Sequence, residues 1–243
     1  MKKTKILIAA LAAAATLALP TAASFAQRHG TVGRGGEVRG TPDQRDWTRT
    51  VQRTPEGGYR IGNPNARVKL VEYLSLTCPH CAEFSRQSGE RLFLEHVRGG
   101  RVSVEYRNFY LDGLDIAAAL LTRCASPDDY FDITHAILGS QRQWMSRVNS
   151  LTPAQRAELG GLAPAQVAQR LIPLVGLDLI GARFRITPRL RQTCINQASL
   201  DALQGLHNGG QQLGVRGTPT FLINGRLASV NTWAGIEPLL RGQ

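Results

Sequence analysis

Cys78 and Cys81 stand two residues apart in Cys78-Pro79-His80-Cys81. That spacing suits disulfide exchange or metal ligation. A structural zinc site draws on four ligands, often as paired motifs, and neither a second CxxC nor a CxxH is present. Attachment of a c-type haem needs CxxCH, and position 82 is Ala. Redox exchange is the chemistry left, with no metal and no cofactor expected. Its nucleophile is the thiolate, so the elements around Cys78 have to hold an anion.

Val68–Leu76 is apolar and β-branched enough for a buried strand, broken only by Glu72. The CxxC follows at once and opens a helix in which Cys81, Phe84, Ser88 and Leu92 share a face, ending at Gly99-Gly100. Pro79 falls at an early helical position, where its missing N–H costs nothing. Cys78 is thereby placed at the helix N-terminus, where free amides and the helix dipole favour negative charge. Such a site lowers a cysteine pKa from ~8.5 into the range ~3.5–7.5. His80, when protonated, adds a positive neighbour. A stabilised thiolate means a destabilised disulfide, hence an oxidant, and Cys81, one turn further in, is the resolving thiol.

The rest of the chain must carry that strand–helix unit. Tyr59–Ile61 and Val102–Tyr106 read as strands, and Asp112 to about Pro188 as helical with breaks at prolines and Gly176. Arg189–Leu213 reads as one further helix. Thr220–Ile223 and Leu227–Val230 flank Asn224-Gly225 as a hairpin, and Ile236–Leu240 closes the chain as a helix. The order is β-α-β, a helical block, then α-β-β-α. This predicts an α/β, thioredoxin-like fold with a central mixed sheet and an inserted helical subdomain at about 112–188.

The run Val71-Glu72-Tyr73-Leu74-Ser75-Leu76-Thr77-Cys78-Pro79-His80-Cys81, with the later Gly214-Val215-Arg216-Gly217-Thr218-Pro219-Thr220-Phe221, closely resembles the DsbA-like family of periplasmic thiol-disulfide oxidoreductases. The similarity covers about residues 58–243. It implies that Pro219 is a cis-proline facing the CxxC and that Thr218 offers its backbone to an extended substrate. It also implies that Glu72 lies beneath the active site and helps move a proton to or from the buried thiol. A carboxylate among apolar neighbours is costly unless hydrated or functional, and strand alternation leaves open an outward-facing Glu72. Reoxidation, by the same resemblance, falls to a DsbB-like, quinone-linked membrane protein.

Cys124 and Cys194 remain as an even pair 70 residues apart. In an oxidising compartment they suggest a structural disulfide clamping the insertion to the following helix; two buried free thiols are the alternative. A Cα separation beyond about 7 Å would exclude the bond. His96, His135 and His207 show no metal-ligand spacing, and Trp144 and Trp233 read as packing residues.

Residues 1–26 have the order of a secretory signal peptide: Met1–Lys5 positive, Ile6–Leu19 apolar, then Pro20 and small residues up to Ala26. Export to the periplasm is the expectation. Residues 27–57, rich in Arg and Gly, read as a flexible tail without the apolar period of a dimerisation stalk, so a monomer is expected. The formal net charge of the 243-residue chain is +11. No Lys/Arg block or aromatic RNP-like stretch accompanies it, which argues against nucleic acid as a partner. The function that follows is an exported oxidase donating its Cys78–Cys81 disulfide to reduced or misfolded exported proteins. An isomerase or reductase of the same fold is the alternative, and a redox-inert chaperone the more distant one.

Overall fold

The computed structural model describes residues 45–242. The expected signal peptide (1–26) and the expected tail up to residue 44 lie outside the described residues. Strands β1 (Val51–Arg53), β2 (Tyr59–Gly62), β3 (Val68–Leu74), β4 (Val102–Asn108), β5 (Thr220–Ile223) and β6 (Arg226–Leu227) form a single sheet of order β1-β2-β4-β3-β5-β6. Only β3 and β4 run parallel; the other neighbours are antiparallel. The sheet is mixed, as expected.

β3 lies at the centre because it is apolar on both faces. Val68, Leu70 and Leu74 enter the main core, while Tyr73 packs with Phe109, Val215 and Leu222 in a second one. Helix α1 (Pro79–Arg91) covers the main-core face, continued by a π-helical stretch at Leu92–Val97. The single helix expected up to Gly99-Gly100 is thus interrupted: Gly89 leaves helical geometry at φ 40°, ψ −140°.

The inserted helices are α2 (Gly113–Arg123), α3 (Tyr130–Gly139), α4 (Gln141–Ser146), α5 (Pro153–Gly160), α6 (Pro164–Leu174), α7 (Leu177–Arg183) and α8 (Pro188–Cys194). Each of α5, α6 and α8 begins on a proline, and Thr152 and Thr187 cap two of these starts. The helix expected at 189–213 is two helices. Asn196 accepts from the Ser199 amide and starts α9 (Gln197–Gln212) afresh, because an extended Asn cap satisfies the first-turn amides better than continued helix would. α9 covers the second face, and α10 (Trp233–Arg241) joins α1 on the first, where Phe84 meets Phe221 and Trp233 at ring centroid distances of 4.4 and 6.0 Å.

Two boundaries need correcting. The flexible tail does not extend to residue 57: Trp47 opens a short 3-10 turn, is buried, and β1 pairs with β2. Trp47 is seated over Gly100, where a Cβ would lie 2.6 Å from the indole. The glycine that ends one element is therefore the socket for another, a pairing that composition averaging hides. The second hairpin strand is also shorter than Leu227–Val230, ending at Leu227.

Candidate active site

Cys78 is the N-cap of α1, with extended backbone (φ −75°, ψ 119°), and Pro79 is the first helical residue. The Cys78 thiol is 4% exposed and Cys81 0% exposed; both are free thiols. Pro79 and His80 lie exposed beside them. The Thr218–Pro219 peptide is cis, and the Cys78 thiol donates to the Thr218 carbonyl oxygen at 3.2 Å. Residues 140 positions apart meet because β5, which follows Pro219, pairs with β3, which leads into Cys78.

The two thiols are pushed apart electrostatically. Cys78 is brought down to about 5, chiefly by a hydrogen bond from the Cys81 side chain. The Thr218 side chain and the amides of Cys81 and His80 add to this against the opposing effect of burial. His80 contributes its backbone here. Cys81 is driven well above the usual thiol range by burial, by its hydrogen bond to Cys78 and by the nearby Glu72. One sulfur ionises readily and the other keeps its hydrogen, the asymmetry a dithiol needs to exchange at one end.

Glu72 does not face outward. It is 2% exposed and shares the core face of β3 with Leu70 and Leu74, opposite Tyr106 on β4 and Phe221 on β5. Burial first, and then the charge on Cys78, raise its carboxyl to about 8. It is therefore neutral at pH 7, and it interacts electrostatically with both cysteines.

The loop between β3 and α1 has no ladder of its own, and side chains from elsewhere take over its backbone groups. Ser75 Oγ accepts from the amides of Thr77 and Cys78 at 3.2 and 3.1 Å. Asp115 of α2 accepts from the Leu76 and Leu111 amides at 2.8 and 3.0 Å. Its carboxyl is raised to about 7 by burial, against the hydrogen bonds it accepts. Gln141, the first residue of α4, donates Nε2 to the carbonyls of Leu76 and Cys78 at 2.8 and 2.9 Å. Asp115 and Gln141 escaped the sequence reading. Asp115 looks like an ordinary acidic residue in a helix's first turn, and Gln141, 63 positions from Cys78, carries no local signal.

Cys124, capping the end of α2, and Cys194, ending α8, are disulfide-bonded with a Cα separation of 5.7 Å. Glu95, His96 and Glu237 also bring potential ligand atoms within 4.8 Å of one another. Arg91 and Arg241 already pair with Glu237, and Arg101 approaches His96, so guanidinium groups fill the role a cation would take. Beside the CxxC a groove of about 1350 Å³ runs along α1, its walls including Pro79, Phe93, Phe131, His135, Leu138 and Gln141.

The family model described as Thioredoxin matches residues 54–241. The crystal structure of a protein-disulfide isomerase from Novosphingobium aromaticivorans is 32% identical at a TM-score of 0.68, over 75% of this chain and 94% of that one. That of Wolbachia pipientis alpha-DsbA1 is 22% identical at a TM-score of 0.61, over 77% and 90%, a likeness of fold. A Rickettsia conorii protein, provisionally named a protein-disulfide oxidoreductase, is 29% identical over 113 residues, 46% of this chain and 41% of its own length. The match thus spans about two-fifths of that curated relative.

Proposed function

Because the chain belongs to the thioredoxin family and has the DsbA-like form of its fold, we propose that it is an exported protein-disulfide oxidoreductase acting as a dithiol oxidase. The reading rests on one observation: Cys78 sits at the mouth of α1 with its pKa brought down to about 5, beside a Cys81 held protonated. An anion stabilised in the dithiol form favours reduction of the enzyme's disulfide.

In the cycle, a substrate thiolate attacks Cys78 Sγ, forming a mixed disulfide and breaking the Cys78–Cys81 bond. Cys81 leaves as a thiolate and takes a proton from neutral Glu72. A second substrate thiolate attacks the substrate sulfur of the mixed disulfide, and Cys78 departs as the stabilised thiolate. Two electrons pass from substrate to enzyme, and the substrate gains one disulfide. Thr218 and Pro219 offer backbone to an extended substrate segment, and the groove along α1 suits its apolar side chains. A quinone-linked membrane oxidase of the DsbB kind would restore the Cys78–Cys81 disulfide, with periplasmic export and a monomeric enzyme completing the proposal. Among the described residues no helix is long and apolar enough to cross a membrane.

The oxidised protein should form disulfides in a reduced test substrate such as ribonuclease A, and the thiolate absorbance of the reduced enzyme should titrate near pH 5. Cys78→Ser should abolish the exchange; undiminished turnover in that variant would end the proposal. The name of the Novosphingobium structure favours a second reading, a disulfide isomerase. Recovery of scrambled ribonuclease by the reduced enzyme, exceeding its oxidation of reduced ribonuclease, would select that reading.

A further inference from the structure

The Cys78 carbonyl is already an acceptor within α1, receiving the Ala82 amide at 3.2 Å. Gln141 Nε2 nevertheless donates to the same oxygen at 2.9 Å and to the Leu76 oxygen at 2.8 Å. Two carbonyl acceptors fix the orientation of the amide, since only its nitrogen can serve both. Gln141 is 5% exposed, so these bonds form away from water, where a hydrogen bond is electrostatically stronger than at a surface. The residue comes from the inserted helical block, whereas the thiol belongs to the thioredoxin core.

We propose that Gln141 is a positioning residue for the Cys78 thiolate: it engages the Leu76 and Cys78 carbonyl oxygens of the sulfur-bearing loop, offsets their negative ends, and holds the first amides of α1 toward the sulfur. The inserted block thereby acts on the redox pair as well as covering it. Backbone satisfaction alone does not call for this second donor on the Cys78 oxygen. The proposal rests on the thiol-exchange reading of the site.

Its direction follows from electrostatics. Removing the donor leaves the Leu76 carbonyl without that partner and the Cys78 carbonyl with the Ala82 amide alone, so their negative ends are less offset and the anion is disfavoured. The thiolate should form at higher pH and the disulfide should become harder to reduce. Gln141→Leu keeps the bulk and removes the donor. The thiolate absorbance midpoint of Cys78 should rise by about one pH unit. At pH 7 the equilibrium with glutathione should shift about tenfold toward the enzyme disulfide, which corresponds to roughly 30 mV. Gln141→Met, which also lacks the donor but keeps an unbranched side chain, should move the midpoint in the same direction; this variant serves should the leucine variant fail to fold.

Asp115→Ala separates positioning from mere loosening. It releases the same loop at the Leu76 amide while leaving the Gln141 donor in place, and should move the Cys78 midpoint much less. An unmoved midpoint in the folded Gln141 variants, or an equal shift in Asp115→Ala, would overturn the proposal. A parent enzyme whose Cys78 titrates near the ordinary thiol value would instead defeat the functional reading, so the two failures are distinguishable.

Discussion

Glu72 illustrates how far a single residue can be read before the fold is known. Its apolar neighbours mark it as anomalous, but only the pairing of β3 with β4 and β5 puts it on the face that carries Cys81. A carboxyl raised to about 8 is a proton donor at pH 7 and loses that capacity as pH rises through 8. Glu72→Gln should therefore slow disulfide exchange at pH 7 by about 10²-fold, the lower end of what one general acid contributes. It should also remove the fall in rate above pH 8 that titration of Glu72 predicts for the parent. A stopped-flow pH profile checks both; an unchanged profile would leave Glu72 without a role in proton transfer. Cys78, Pro79 and Cys81 were legible as a unit because helix-terminus chemistry depends on adjacent residues. Asp115 and Gln141 were not, since their partners lie 39 and 63–65 positions away.

Among elements, α9 shows what close approach demands. Gly210 lies where a Cβ would come within 2.8 Å of Tyr73 Cε1 and 3.0 Å of Phe109 Cδ2. Both rings are buried in the second core, edge to face at 6.3 Å, with little room to yield. Gly210→Ala should destabilise the protein by about 1–3 kcal/mol through overpacking, despite alanine's better helix propensity. Urea unfolding measures this, and a stability equal to the parent's would show that the α9–sheet contact can give. Strands β2 to β5 and the helix behind the CxxC were visible as apolar runs bounded by turn residues. β1 was not, being a largely exposed edge strand of three residues that pairs only with β2 and carries no apolar run. The boundary between α8 and α9 was missed because an asparagine cap interrupts an otherwise continuous helical pattern.

For the molecule as a whole, Cys124–Cys194 closes a loop across the inserted block, with a sequence separation of 70. Replacing both cysteines with alanine should cost at most about 4 kcal/mol by the loop-entropy relation. The thermal midpoint should fall while thiol exchange at Cys78 persists; loss of exchange in a folded variant would tie this bond to the active site. The redox state of the other pair should make stability depend on pH. In the reduced protein Cys78 has a folded pKa of about 5 against 9.0 for an ordinary thiol. A lowered folded pKa contributes stability that is complete above the ordinary value and lost as pH falls through the folded one. The oxidised form has no such titration. The stability of the reduced form relative to the oxidised should therefore increase between about pH 5 and pH 9, as paired calorimetric scans would reveal. A constant difference would mean that Cys78 is not held as an anion.

The chain by itself determined the redox dipeptide frame, the order of strands and helices around it, and the layered α/β architecture. Those depend on apolar periodicity, proline and glycine placement, and the local geometry of a helix start. Only the tertiary structure decided which face Glu72 occupies, that Thr218 meets Cys78, that Cys124 reaches Cys194, and that Asp115 and Gln141 hold the loop bearing the thiol. Each of those joins residues 34 to 140 positions apart when measured from Glu72 to Tyr106 and from Cys78 to Thr218. Contacts over such separations are set by sheet register and helix packing, which depend on the whole chain at once.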